Sequence, residues 1–154
     1  MSPGIPASTD AAPRAGTDAS RLPRWLYWIA LLLLCSAYLQ GGIDKAWDFP
    51  GAIAEMQHFG LAPAVPMAVA VIVLELGASA LILAGRLRWL GALALAAFTL
   101  AASFMANRFW AVPAGERVML ANAFFEHLGL VGGFTAVAWV DLRAHAARVT
   151  RNPS

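Results

Sequence analysis

The chain has 154 residues, of which 60% are hydrophobic and 13% charged, with a net charge of +2. A soluble domain carries about 25% charged residues, so this composition excludes an ordinary water-soluble globule of one-domain size. The isoelectric point near 9.2 does not signal nucleic-acid binding, because the arginines form no groove-sized patch with aromatics between them and a membrane accounts for their positions.

The first 20 residues, "MSPGIPASTDAAPRAGTDAS", are rich in Pro, Ala, Ser and Thr and lack an apolar period. They read as a disordered cytoplasmic tail, taken as residues 1–23. No apolar core precedes Trp25, and the run that follows is longer than a signal core and lacks a small-x-small cleavage site, so it is not a cleaved signal peptide. That run, "WLYWIALLLLCSAYLQGG", opens a first span over about 25–45. The lone Cys35 within it can form no intramolecular disulfide and no cysteine cluster, and reads as a small packing residue. "DFPGAIAEMQHFGLAPAVP" then joins two spans. Pro and Gly punctuate it, and its middle, Ala52 to Phe59, is expected to be a short helix on the membrane surface.

The second span covers 66–85, and "GRLR" links it tightly to a third over 89–110. "AVPAGER" leads to a fourth over 118–140, and residues 142–154 form a basic cytoplasmic tail. Each span has roughly the 20 residues that cross a bilayer. Backbone groups in lipid must pair within their own segment, so these are helices; barrel strands would be shorter and would alternate. The fold class is all-α, an integral membrane four-helix bundle covering 24–141.

Eight of the 11 basic residues fall on one side: Arg14, Arg21, Arg24, Arg86, Arg88, Arg143, Arg148 and Arg151. Lys45, Arg108 and Arg117 fall on the other. The positive-inside rule puts both termini in the cytoplasm. Trp25, Trp28, Trp89 and Trp139 then mark the inner interface, and Trp47 and Trp110 the outer one.

Each span carries a polar stripe at helical spacing. The stripes are Ser36, Gln40 and Asp44; Glu75 and Ser79; Thr99, Ser103 and Asn107; and Asn122 with Glu126, continued by Gly129 and Gly133. Turned inward, they would build one polar cavity opening to the outside, with Ser79 and Thr99 at its floor. Glu126 would lie ~12 Å below the outer edge, and Glu75 near mid-membrane. Ser, Thr, Asn and small residues also serve as ordinary packing between membrane helices. Intramembrane carboxylates are rarer and usually face a bundle interior or a wet cavity. Glu75 and Glu126 are therefore the candidate catalytic pair, a proton relay across the cavity. Gln40, Asp44, Lys45, Ser79, Asn107, Arg108, Asn122 and His127 are candidate binding residues. Two carboxylates close together repel when both are charged, so Lys45, Arg108 or His127 is expected to compensate them. His127 lies about 100° round the helix from Glu126 and is expected to hydrogen-bond a neighbouring helix. Arg108, beside Trp110, also fits a side chain reaching to the interface. No bound metal, haem or nucleotide is expected, because the chain has no haem histidine pair, cysteine cluster or dinucleotide glycine motif.

The order and spacing of four elements resemble the DoxX-like family of small four-span bacterial membrane proteins. "LQGGIDKAWDFPG" is similar to the family's Gly-x-x-Lys ending of the first span, through Gly42 and Lys45. "LELGASALILAGRLRWLGA" looks like its Glu-x-Gly pattern, through Glu75, Gly77, Gly85 and Arg88. "ANRFW" and "FFEHLGLVGG" complete the resemblance, which covers about Arg24 to Val140. Asn107 and Arg108 stand where many members carry a histidine, so no role is carried over from it. The resemblance implies a bacterial inner-membrane protein. The family is named for a subunit of a thiosulfate:quinone oxidoreductase, members are widely labelled oxidoreductases, and others are linked to oxidative-stress complexes.

The first functional reading is a membrane subunit of a quinone-linked oxidoreductase system, with quinone as the cofactor and a soluble or membrane redox partner. The alternatives are a binding or transport module for a small polar or lipidic molecule, for which a homodimer is needed; a non-catalytic scaffold for a partner; and an acid-catalysing membrane enzyme acting on a lipidic substrate.

Overall fold

A computed structural model describes residues 23–151. The expected N-terminal tail, with Arg14 and Arg21, lies outside the described residues except for Pro23, as do residues 152–154. Five α-helices follow in order: α1 (Arg24–Trp47), α2 (Phe49–His58), α3 (Ala64–Ala84), α4 (Arg88–Ala106) and α5 (Ala114–Arg151). α1, α3, α4 and α5 are long and apolar enough to cross a membrane. Exposed Leu33, Val73, Leu100 and Phe125 give them the apolar outer surface that lipid requires. The protein is a multi-pass membrane helical bundle.

Local chemistry sets the element ends. α1 stops at Trp47, where the Asp48 side chain accepts a hydrogen bond from the Gly51 N–H at 3.0 Å and starts α2, with Pro50 in its first turn. α2 is the expected surface helix, begun three residues earlier than Ala52 because of that cap. Between α3 and α4 the chain turns within Gly85–Leu87, both of which adopt left-handed backbone angles (φ 72° and 53°). The Arg88 Nε–H closes this turn by donating to the Ile82 carbonyl at 2.9 Å. The first turn of α4 is capped from α5: the Trp89 N–H donates to the Asp141 carboxylate at 3.1 Å.

The third apolar stretch, Arg88–Ala111, consists of α4 followed by a separate 3-10 turn over Phe109–Ala111. The basic residues after 141, read as a tail, continue α5 through Arg151. No Gly or Pro occurs between Gly133 and Pro153, so nothing breaks the helix where it leaves the apolar zone.

α1 packs on α3, α3 on α4, and α4 on α5, while α1 and α5 approach each other least closely of the spans that touch. The core toward the tail end holds Leu31, Cys35, Ile82, Leu95 and Phe134, all at 0 or 1% exposure. Lipid is as apolar as leucine, so close approach rather than the hydrophobic effect holds such helices together. Glycine supplies that approach. A Cβ on Gly42 would stand 2.8 Å from the Leu76 side chain, and one on Gly91 would stand 2.6 Å from the Ala78 carbonyl oxygen. α2 lies across the opposite end, with Ala52 and Met56 buried against Ala68 of α3. This is the α2 end of the bundle.

Candidate functional site

Beneath α2 the spans separate around a cavity of about 510 Å³, within the range of small-molecule sites. α1 contributes Ala37, Tyr38, Gly41 and Lys45, and Tyr38 and Lys45 are aligned because they are seven residues, two helical turns, apart. α3 contributes Leu74 and Glu75, α4 Phe98, Thr99 and Met105, and α5 His127 and Leu130. Glu55 and Met56 of α2, with Phe59 just after it, complete the lining at that end.

The polar groups within it are few and ordered. Lys45 Nζ stands 3.5 Å from Glu75 Oε1 and 3.9 Å from Glu55 Oε2. Side-chain exposure falls along this line, from 43% at Glu55 through 19% at Lys45 to 7% at Glu75. Glu75 Oε2 has no hydrogen-bond partner among the described residues, and neither do the buried Ser79 and Ser103 hydroxyls. On the facing wall, the Thr99 hydroxyl donates to the Leu95 carbonyl at 2.6 Å, which leaves it to accept from the Tyr38 hydroxyl. His127 Nδ1 lies 2.6 Å from the Ala123 carbonyl and so carries a hydrogen, which leaves Nε2 as the ring nitrogen that can accept. The Asn107 amide nitrogen lies 3.5 Å from the same Nδ1.

Of the residues expected at the site, Glu75, Lys45 and His127 come together in the cavity wall, and Thr99 joins them. Ser79 is fully buried one turn beyond Glu75 and does not line the cavity. Asn107 is buried beside His127 at the margin. Arg108 lines a separate space of about 470 Å³ with His58 and Phe59. Gln40 and Asp44 are exposed on α1, with the Gln40 amide donating to Asp44 at 2.7 Å. Asn122 and Glu126 are exposed on α5.

The expected face-to-face pair of Glu75 and Glu126 is therefore not formed, and His127, expected to point elsewhere, takes the inward position. The cause is the helical register of α5. Its buried face is fixed by Phe134 and Ala138, and His127 lies seven residues before Phe134 on that face, which turns Glu126 away. Likewise Leu31 and Tyr38 fix the inward face of α1, and Gln40 and Asp44 fall off it. The cavity is consequently mostly apolar, not a convergence of four polar stripes. Sequence reasoning missed Tyr38 and Glu55. The seven-residue spacing of Tyr38 and Lys45, and the position of Glu55 as the one carboxylate of the surface helix, were the available signals.

Four spanning helices, a short surface helix after the first, and a buried Lys–Glu pair define a small membrane protein with a cavity among its spans. The chain belongs to the DoxX family, whose model matches residues 28–108. That match includes Lys45, Glu55 and Glu75 and stops before α5 with His127. No curated protein and no solved structure matches the chain.

Proposed function

We propose that this chain is the membrane subunit of a quinone-linked redox system in a bacterial inner membrane, with both termini cytoplasmic, and that the cavity beneath α2 takes the quinone ring. The observation that carries this reading is Glu75, a carboxylate whose side chain is 7% exposed, paired on one oxygen with Lys45 and unpartnered on the other, in the wall of an apolar cavity. A buried polar atom without a partner costs ~1–3 kcal/mol, and a ligand hydroxyl would remove that cost. The apolar walls suit a ring and the first carbons of its tail. The Lys45 ammonium can donate to a ring carbonyl, and His127 Nε2 can accept from a ring hydroxyl.

Reduction of a quinone to the quinol takes up two electrons and two protons. In this reading the electrons come from a partner redox protein, and the line Glu55, Lys45, Glu75 hands protons inward from the surface. The family resemblance supports the quinone and the partner, and the arginine distribution supports the orientation.

Titration of a short-chain ubiquinone or menaquinone into the purified protein in nanodiscs tests it. Saturable binding is expected, weakened about tenfold by Glu75→Gln, which corresponds to ~1.4 kcal/mol. An absence of saturable binding for both quinones overturns the reading.

A further inference from the structure

We infer that the cavity is entered sideways, from the bilayer, through the seam between α1 and α5 at the α2 end, with Gln40 and Asp44 on one lip and Asn122 and Glu126 on the other. This inference rests on the quinone-class reading only in the nature of the occupant, an amphiphile dissolved in the membrane; the opening itself rests on the packing.

The α1–α3 side is closed beside the cavity at Gly42, where a Cβ would stand 2.8 Å from Leu76, while α3 and α4 meet at Gly91, toward the tail end, where one would stand 2.6 Å from a carbonyl oxygen. At the α2 end, α4 and α5 are joined by Phe104, Phe109, Trp110 and Phe124, with ring centroids 5.0 to 6.2 Å apart. α2 and the residue after it cover the end of the bundle with Met56 and Phe59.

α1 and α5 touch where Leu34 faces Gly133 and where the Tyr38 and Phe134 rings stack edge-on at 5.3 Å. Both contacts lie toward the tail end. Gly129, Glu126 and Asn122 precede Gly133 by four, seven and 11 residues and so share the face of α5 that looks at α1. All three are nevertheless exposed, and a Cβ on Gly129 would meet nothing within 4 Å. One step round the helix, His127 and Leu130 line the cavity, as Ala37 and Gly41 of α1 do. The two helices thus flank the cavity without closing over it.

The lips are polar in a zone where polar residues are costly unless they serve a wet or ligand-bearing surface. The antiparallel register set by Leu34 and Gly133 brings Gln40–Asp44 and Glu126 to about the same depth, roughly one to two turns below Trp47. An amphiphile arriving there keeps its tail in lipid while its polar ring exchanges hydrogen bonds with the two lips on the way to Lys45 and Glu75.

The test reads access rather than binding. A cavity-wall reporter, Leu130→Cys in a Cys35→Ser chain, is reacted in vesicles with a long-chain N-alkyl maleimide dissolved in the bilayer or with a charged maleimide in water. Met105→Cys repeats the measurement from the α4 wall. The alkyl reagent is expected to react at least tenfold faster at both reporters, and Gly129→Trp, which fills the seam, to slow it at least tenfold. Val73→Cys, on the exposed face of α3, is expected to react at the same rate with and without Gly129→Trp. Equal rates for the two reagents, or no effect of Gly129→Trp, overturn the inference. Dissociation of a dimer by Gly129→Trp with unchanged labelling also overturns it, because the seam would then be a subunit interface. A failed quinone titration with labelling as expected removes the quinone reading and leaves the side entrance standing.

Discussion

Lys45 reaches from α1 to place its ammonium 3.5 Å from the Glu75 carboxylate of α3, in the wall of an otherwise apolar cavity. Taking one member from such a pair leaves the other uncompensated, whereas taking both leaves neither. Lys45→Met is therefore expected to destabilise the protein by about 3 kcal/mol, the low end for a buried pair because Lys45 keeps some exposure. Glu75→Gln is expected to cost about 1 kcal/mol, since Lys45 retains Glu55. The double variant Lys45→Met/Glu75→Gln is expected to be more stable than Lys45→Met alone. Unfolding in mixed micelles measures all three, and simple additivity would refute the coupling.

Glu126 and His127 are neighbours in sequence and part company in space: one is exposed, the other lines the cavity. His127→Leu removes the Nε2 acceptor and is expected to weaken quinone binding about tenfold, a loss of ~1.4 kcal/mol. Glu126→Gln keeps a hydrogen-bonding lip and is expected to change affinity less than twofold. The reverse ranking at equal expression would return the relay to Glu126.

Glycine packing makes a sharper stability forecast. At Gly91 the atom in the way of a Cβ is a backbone carbonyl 2.6 Å off, which cannot rotate aside; at Gly42 it is the branched end of Leu76. Gly91→Ala is expected to cost about 3 kcal/mol and Gly42→Ala about 1 kcal/mol, the two ends of the overpacking range. Gly77→Ala meets nothing within 4 Å and is expected to be neutral or slightly stabilising, since alanine is the better helix former. Melting temperatures in one detergent rank the three, and a Gly77→Ala as damaging as Gly91→Ala would refute the account.

The fold was legible because lipid leaves a chain few options: four apolar runs of about 20 residues must be helices, and Gly, Pro and Arg punctuate them. The site was legible only where a charged residue had nowhere else to go. Lys45 and Glu75 were found in that way. Glu126 was misplaced because polarity was taken to mark the inward face of every helix. In α1 and α5 that face is marked instead by large side chains seven apart, Leu31 with Tyr38 and His127 with Phe134. Polar residues at the lips of a seam give the same stripe in sequence as polar residues inside a bundle, and the helical register alone separates the two.

The orientation is open to a direct chemical test, because Cys35 is the lone cysteine and is fully buried. A buried thiol in apolar surroundings reacts slowly, so the unmodified chain is expected to resist an impermeant maleimide in intact spheroplasts. Two reporters in a Cys35→Ser chain then define the sides. Gly115→Cys stands at the start of α5, at the α2 end, with no atom within 4 Å of the added Cβ. Ala146→Cys stands on the exposed extension of α5 at the other end. Neither replaces a basic residue, so the charge bias that sets orientation is undisturbed. With both termini cytoplasmic, Gly115→Cys is expected to react at least tenfold faster than Ala146→Cys, and permeabilising the membrane to bring the two rates together. Faster labelling of Ala146→Cys in sealed spheroplasts would invert the protein and turn the surface helix and the Glu55–Lys45–Glu75 line toward the cytoplasm.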